Sequence, residues 1–260
     1  VTGTAPVPER PHPTAALPAE RDGAPVPWLV LDASTVRATV AVVAAGSVIA
    51  HEAVAMRGAR EERLMPAAAA ALSAAGLRVP DLGRVVCGAG PGSFTSLRIA
   101  AALGKGFVTG APSGPRLAAV SSLLLMVGAA ADRLPPGLYA PTLDALRGER
   151  YVALVALEGP EMNAGASHLV RPSCGGTQAR AALRRGWERI LASDLSGWAA
   201  AQGATVLGPD CGVEAWPDAA GAIATSAGIV DVDPIGWQPD YGRLAEAEAR
   251  RAAAAAREAP

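Results

Sequence analysis

From Trp28 onward, short apolar runs are separated by turns rich in Gly, Pro, Ser and Asp. Trp28 to Leu31 reads as a strand ending at Asp32, Thr39 to Val43 as a β-branched strand, and Ala44-Ala45-Gly46-Ser47 turns the chain into Val48 to Val54. This predicts a three-strand meander. Glu61 to Ala75 predicts a helix carrying Leu64, Met65, Ala68, Ala71, Leu72 and Ala75 on one side, with Pro66 tolerated in its first turn. Arg84 to Cys87 predicts a strand, Ser93 to Val108 a helix, Leu117 to Val120 a strand and Leu123 to Ala131 a helix, giving the order βββαβαβα.

The second half repeats the order more loosely. Leu138 to Leu143, Tyr151 to Leu157 and His168 to Val170 read as strands, Gln178 to Arg185 as a helix and Thr205 to Leu207 as a strand, followed by a further helix and by Gly228 to Val230. In both halves the first strand ends in an aspartate and a turn, Asp32 in Asp-Ala-Ser-Thr and Asp144 in Asp-Ala-Leu-Arg-Gly-Glu. A duplicated unit of this kind is the layout of the α/β actin/sugar-kinase/Hsp70-like fold, with two ribonuclease-H-like βββαβαβ subdomains. The expected division is a leader over 1–27, subdomains over 28–130 and 131–244, and an Ala-rich helix or tail over 245–260. The Pro/Ala-rich leader lacks the periodic apolar positions that would offset the entropy of ordering, so disorder is expected there.

Half of the 260 residues are hydrophobic, enough for a substantial core. A formal net charge of -1 gives no general attraction for a nucleic-acid backbone, so contact with RNA is expected to be local or delivered by a partner. Cys87, Cys174 and Cys211 lack Cys-x-x-Cys spacing, and His12, His51 and His168 stand far apart, which predicts neither disulfides nor a metal site. With no long apolar run or secretory layout, a cytoplasmic protein without membrane association is expected.

The chemistry concentrates in two turns. Gly88-Ala89-Gly90-Pro91-Gly92-Ser93 joins a strand to a helix, where glycines open the backbone and Ser93 and Thr95 can cap free N–H groups; such a turn can cradle an anion or can be purely steric. Asp32, Ser34 and Thr35 share a hairpin, where they suit phosphate oxygens and hydrated Mg²⁺ or, equally, satisfy their own turn. Asp32, Ser34, Thr35, Gly88, Gly90, Ser93 and Asp144 are therefore the candidate nucleotide or phosphate contacts. Arg98, Lys105 and Arg147 to Arg150 read as solvated surface, and no Ser/His/Asp or Cys/His set is present.

Asp32-Ala33-Ser34-Thr35, the Gly88 to Thr95 run with Leu97-Arg98-Ile99, Val120-Ser121-Ser122-Leu123, Asp144 to Tyr151 and Pro239-Asp240-Tyr241-Gly242-Arg243 together resemble the TsaB (YeaZ-like) family. The resemblance covers Trp28 to about Arg243 and implies a non-catalytic subunit for threonylcarbamoyladenosine formation in tRNA. Its implied partners are the paralogue TsaD, met through the two helices of the first half, the ATPase TsaE and, through the complex, tRNA. When the chain is alone, a homodimer through the same helices is the further expectation, since an exposed apolar helix pair rarely stays solvated. No cofactor of its own is implied, ATP or ADP with Mg belonging to the complex. The absence of any His between His51 and His168 matches the family's lack of the paralogue's metal ligands. Carried over by position, the partner-facing residues are Leu64, Met65, Ala68, Leu72, Leu97, Ala101 and Gly104. Ser96 and Ala100 depart from the family's glycines and add bulk to the helix expected to meet the partner. Family members also carry a peptidase-like label, for which the sequence has neither metal ligands nor a nucleophile set. The competing expectation is a small ATP-dependent phosphotransferase of the same fold.

Overall fold

Two sheets with the same internal strand order form the framework of the computed structural model, which describes residues 26–56, 63–111, 114–159 and 179–242. In the first half, β1 (Trp28–Asp32), β2 (Arg37–Ala44) and β3 (Ser47–Ala55) form the meander, followed by α1 (Leu64–Ala74), β4 (Arg84–Gly88), α2 (Phe94–Thr109), β5 (Arg116–Val120) and α3 (Ser122–Ala129). The second half contributes β6 (Gly137–Asp144), β7 (Glu149–Glu158), β8 (Arg180–Leu191), α4 (Leu195–Ala201), β9 (Thr205–Gly208), β10 (Val213–Glu214) and β11 (Val230–Asp231).

The sheets run β11-β5-β4-β1-β2-β3 and β10-β9-β6-β7-β8. Without β11, each places its own first strand in the middle, antiparallel to the second and parallel to the fourth. Central β1 and β4 are buried on both faces, which explains their unbroken apolar runs, whereas edge strand β3 alternates between exposed and half-buried positions. α1 and α2 cover one face of the first sheet, α3 lies in the main core between the sheets, and α4 covers the far face of the second. No described helix is long and apolar enough to cross a membrane.

Three expectations for the second half change. Of the helix expected over Gln178 to Arg185, Gln178 lies outside the described residues and the part from Arg180 is the start of β8, paired along β7 from Glu158↔Arg180 to Glu149↔Leu191. Its arginines suit a solvated edge, with Arg184 on Glu158 at 2.9 Å and Arg189 on Glu149 at 3.3 Å, while Ala181 turns into the core. Strand pairing with a distant segment overrides the local helix preference. The helix expected after Thr205 to Leu207 is replaced by 3-10 turns over Ala219–Ile223 and Ser226–Gly228. The first of these lies so close to α3 that a Cβ on Gly221 would stand 2.2 Å from the Leu125 carbonyl oxygen. Val230–Asp231 then pairs with β5, returning the chain from the second half to the first sheet. The expected strand His168 to Val170, residues 1–25 of the leader and the 245–260 tail lie outside the described residues.

A polar clasp ties the edge of the first sheet to the 3-10 turn. Asp218 accepts the Ala220 amide at 2.9 Å, meets His51 Nε2 at 2.8 Å and lies 3.5 Å from Arg37. The hydrogen bond to Asp218 raises the His51 pKa against the effect of burial. Burial pushes Asp218 up, but the bonds from His51 and Ala220 outweigh it and leave the carboxyl below its ordinary value. A raised histidine pKa means stabilisation that is complete below the unfolded value and is lost as pH rises through the folded one. His51→Ala is therefore expected to lower the urea midpoint at mildly acidic pH, with the deficit shrinking above neutrality. A deficit independent of pH would show that the imidazolium contributes nothing.

Candidate functional site

The glycine turn is shaped from behind by Asp32. One Asp32 oxygen accepts the Ser34 amide at 3.0 Å and the Ser34 hydroxyl at 2.7 Å, and the other accepts the Ser122 hydroxyl at 2.6 Å. Ser122 Oγ in turn accepts the Gly90 amide at 3.1 Å, so Asp32 supports the turn through a residue 90 positions away. The carboxyl is buried, and desolvation raises its pKa despite the hydrogen bonds from Ser122 and Ser34. Gly88 gives it room, because a Cβ there would stand 2.0 Å from Asp32 Oδ2. Gly90 has φ +88°, and a Cβ on it would stand 2.3 Å from the Asp240 carbonyl oxygen.

A cleft of about 740 Å³ opens in front of this scaffold, between the halves. The β1–β2 hairpin supplies Ser34, Thr35 and Val36, the glycine turn and the start of α2 supply Gly92 to Ser96, and the β6–β7 hairpin supplies Leu143 to Leu146. Of the expected contacts, Ser34, Thr35, Ser93 and Asp144 line this cleft together. Asp32, Gly88 and Gly90 are buried behind it. Thr35 Oγ1 is engaged with its own hairpin, donating to the Arg37 carbonyl at 2.9 Å, and Ser93 Oγ lies 3.0 Å from Ser96 Oγ. The Asp32 carboxylate thus serves the turn and does not face Asp144 across open space.

Sequence reasoning missed the aromatic walls. Phe94, Tyr151, Trp216 and Tyr241 all line the cleft, although aromatic residues make up only 4% of the chain. Phe94, Tyr151 and Tyr241 fall in runs that carry the family resemblance, but the four rings come from separate segments and nothing local shows that they converge. Asp210 was also missed; Arg150 donates to it from both terminal guanidinium nitrogens, Nη1 and Nη2, at 2.6 and 2.7 Å, which lowers the Asp210 pKa.

The Pro239-Asp240-Tyr241-Gly242 segment closes one end of the cleft. The Asp240 amide donates to the Ala89 carbonyl at 2.7 Å, and its carboxylate accepts Trp187 Nε1 from β8 at 3.0 Å. The Tyr241 ring lies 4.5 Å from Phe94, and a Cβ on Gly242 would press against the Tyr151 ring at 2.5 Å. One short segment therefore touches the glycine turn of the first half and strands β7 and β8 of the second.

The residues carried over as partner-facing need correction. Leu64, Ala68, Leu72, Leu97, Ala101 and Gly104 are buried within the isolated chain, and Met65 alone of that set is exposed, at 45%. The apolar stripes of α1 and α2 face their own sheet: a Cβ on Gly104 would stand 2.4 Å from Cys87 Sγ on β4. The outer surface includes Met65, Ala69 and Ser73 on α1 and Arg98 and Ala102 on α2. Ser96 and Ala100 are buried too, so their added bulk is accommodated inside the chain.

Among the described residues, no group of three or more His, Cys, Asp or Glu side chains could hold a metal ion. The family model for TsaD, tRNA N6-adenosine threonylcarbamoyltransferase, matches residues 54–170, just under half of the chain. The tRNA threonylcarbamoyladenosine biosynthesis protein TsaB of Bacillus subtilis is 32% identical over 126 residues, or 48% of this chain. The match spans about half the length of that relative, 53%. A solved Pseudomonas aeruginosa protein described as similar to the peptidase YeaZ superposes with a TM-score of 0.64 at 22% identity, covering 84% of this chain and 99% of that one. YeaZ from Pseudomonas aeruginosa gives 0.58 at 21% identity, covering 83% and 99%. The superpositions match almost the whole of each solved chain and show that this chain shares their α/β fold, here with two sheets of matching strand order. The chain is thus similar in sequence to a TsaB protein over about half its length and similar in fold to YeaZ.

Proposed function

We propose that the chain is a non-catalytic subunit in the formation of threonylcarbamoyladenosine in tRNA, pairing with a TsaD-type partner and helping to recruit a TsaE-type ATPase. The observation that carries this reading is the match to the Bacillus subtilis TsaB biosynthesis protein. The inward-turned Asp32 supports it, because a carboxylate whose two oxygens serve three donors is poorly placed to hold Mg²⁺ for phosphoryl transfer. A formal net charge of -1 accords with tRNA reached through a partner. ATP or ADP with Mg would belong to the assembled complex.

The partner surface in this reading is the outer face of α1 and α2, with Met65 as its apolar contact and the small side chains of Ala69 and Ala102 permitting close approach. The chain alone uses the same face for a homodimer that the partner displaces. Mixed with the TsaD of its own cell, the chain is expected to co-elute one to one in size-exclusion chromatography with light scattering. Met65→Glu is expected to weaken that complex at least about tenfold, as for truncating a central interface contact. Absence of a complex under every nucleotide condition, or ATP turnover by the purified chain alone, would overturn the reading in favour of a phosphotransferase.

A further inference from the structure

We propose that the cleft between the halves receives a basic segment of a protein partner, entering with an arginine side chain that lies along the aromatic wall and pairs with Asp144. The inference goes beyond the biosynthetic role above and rests on the charge and shape of the cleft. Among its described lining residues are two carboxylates, Asp144 and Asp210, and no Lys, Arg or His. Asp210 is already neutralised by Arg150. Among the described residues Asp144 accepts the Leu146 amide of its own turn, at 2.8 Å, and is exposed. The Arg150 charge is also felt at Asp144, but its guanidinium is committed to Asp210. The described lining side chains therefore carry a net negative charge, which favours a cation, while Arg98, outside the lining, is held over the Phe94 ring.

The rest of the wall suits the same ligand. Phe94, Trp216 and Tyr241 present half-buried aromatic surface with the buried Tyr151 ring behind them, and a guanidinium is attracted to ring faces more strongly than most side chains. The protein already makes both contacts: Arg98 stacks over Phe94 at 5.3 Å, and Arg150 forks onto Asp210. Val36 and Leu146, 39% and 59% exposed, stand on the two facing hairpins and offer apolar contact to an arginine stem. A volume of about 740 Å³ accommodates an arginine with its flanking backbone and exceeds what one side chain fills.

The test titrates the full chain with acetyl-Gly-Arg-Gly-amide and with its citrulline analogue, which keeps the shape of arginine but not the charge, followed by tryptophan fluorescence and amide NMR shifts. The arginine peptide is expected to bind saturably and about tenfold or more tightly than the citrulline peptide, as for loss of a charge-assisted hydrogen bond. Added salt is expected to narrow the gap. Asp144→Asn keeps an acceptor for the Leu146 amide, so the fold is retained while the preference for arginine is lost. Equal binding of the two peptides, no saturable shift at millimolar peptide, or tighter binding of adenosine or ATP than of the arginine peptide would each overturn the proposal. The comparison of the two peptides on the unaltered chain decides the matter even if the variant fails to fold.

Discussion

Asp32→Ala is expected to lower the unfolding free energy by about 3 kcal/mol near neutral pH, and Asp32→Asn by less than half as much. Alanine leaves three donors without their acceptor: the Ser34 amide, the Ser34 hydroxyl and the Ser122 hydroxyl. Both serines are buried, so water does not replace the lost bonds. Each unsatisfied buried donor costs about 1–3 kcal/mol, and relief from burying a carboxylate offsets part of the total. The asparagine oxygen can keep both Ser34 bonds, while its amide donates to Ser122 Oγ.

The pH dependence has a definite sign. Burial raises the folded pKa of Asp32 above its ordinary value. Between those two values the folded state retains a proton that the unfolded state releases, so the stability of the unaltered chain falls as pH rises across that interval. Asparagine has no such slope, so its deficit is expected to be greatest in acid and to shrink as pH increases. Urea denaturation of the three proteins at several pH values measures both effects. An unchanged midpoint in the alanine variant would show that Asp32 is not the organising acceptor of the glycine turn.

Leu97→Glu is expected to unfold the chain, whereas Met65→Glu is expected to leave it folded. Leu97 is 0% exposed, with its Cδ1 within 3.0 Å of a Cβ placed on Gly90, so it packs directly beneath the glycine turn. A glutamate there buries a charge with no cationic partner, costing about 4 kcal/mol or more against a typical total stability of about 5–15 kcal/mol. Met65 projects from the same helical layer at 45% exposure, and a surface substitution of this kind changes stability by about 0.5 kcal/mol or less. Circular dichroism with thermal melting separates the two variants before any partner is added. A Leu97→Glu variant that melted normally would contradict the inward packing of α2.

The sequence by itself determined the first half almost completely. Its meander, two covering helices and parallel strands occur within a few residues of where their periodicity places them, because each element buries one face or two and writes that burial into its own pattern. The aspartate ending the first strand of each half was legible in the same way, and so was the glycine turn. Only the tertiary structure decided what covers each face and where each polar atom turns. The stripe of Leu64, Ala68 and Leu72 records that an apolar surface lies above α1, but a sheet and a partner helix impose the same stripe. Asp32 is read locally as a turn former or a ligand; the hydroxyl of Ser122, brought in where α3 follows β5 on the far side of β4 from β1, makes it a buried support. The β8 arginines carry a helix-compatible pattern until β7 offers them a strand to pair with. The convergence of the aromatic rings was not legible, since Phe94, Tyr151 and Tyr241, each in a separate motif, meet one another and Trp216 only when four segments fold together. Periodicity reports how much of a residue is covered, and the identity of the covering group is set by contacts between residues far apart in the chain.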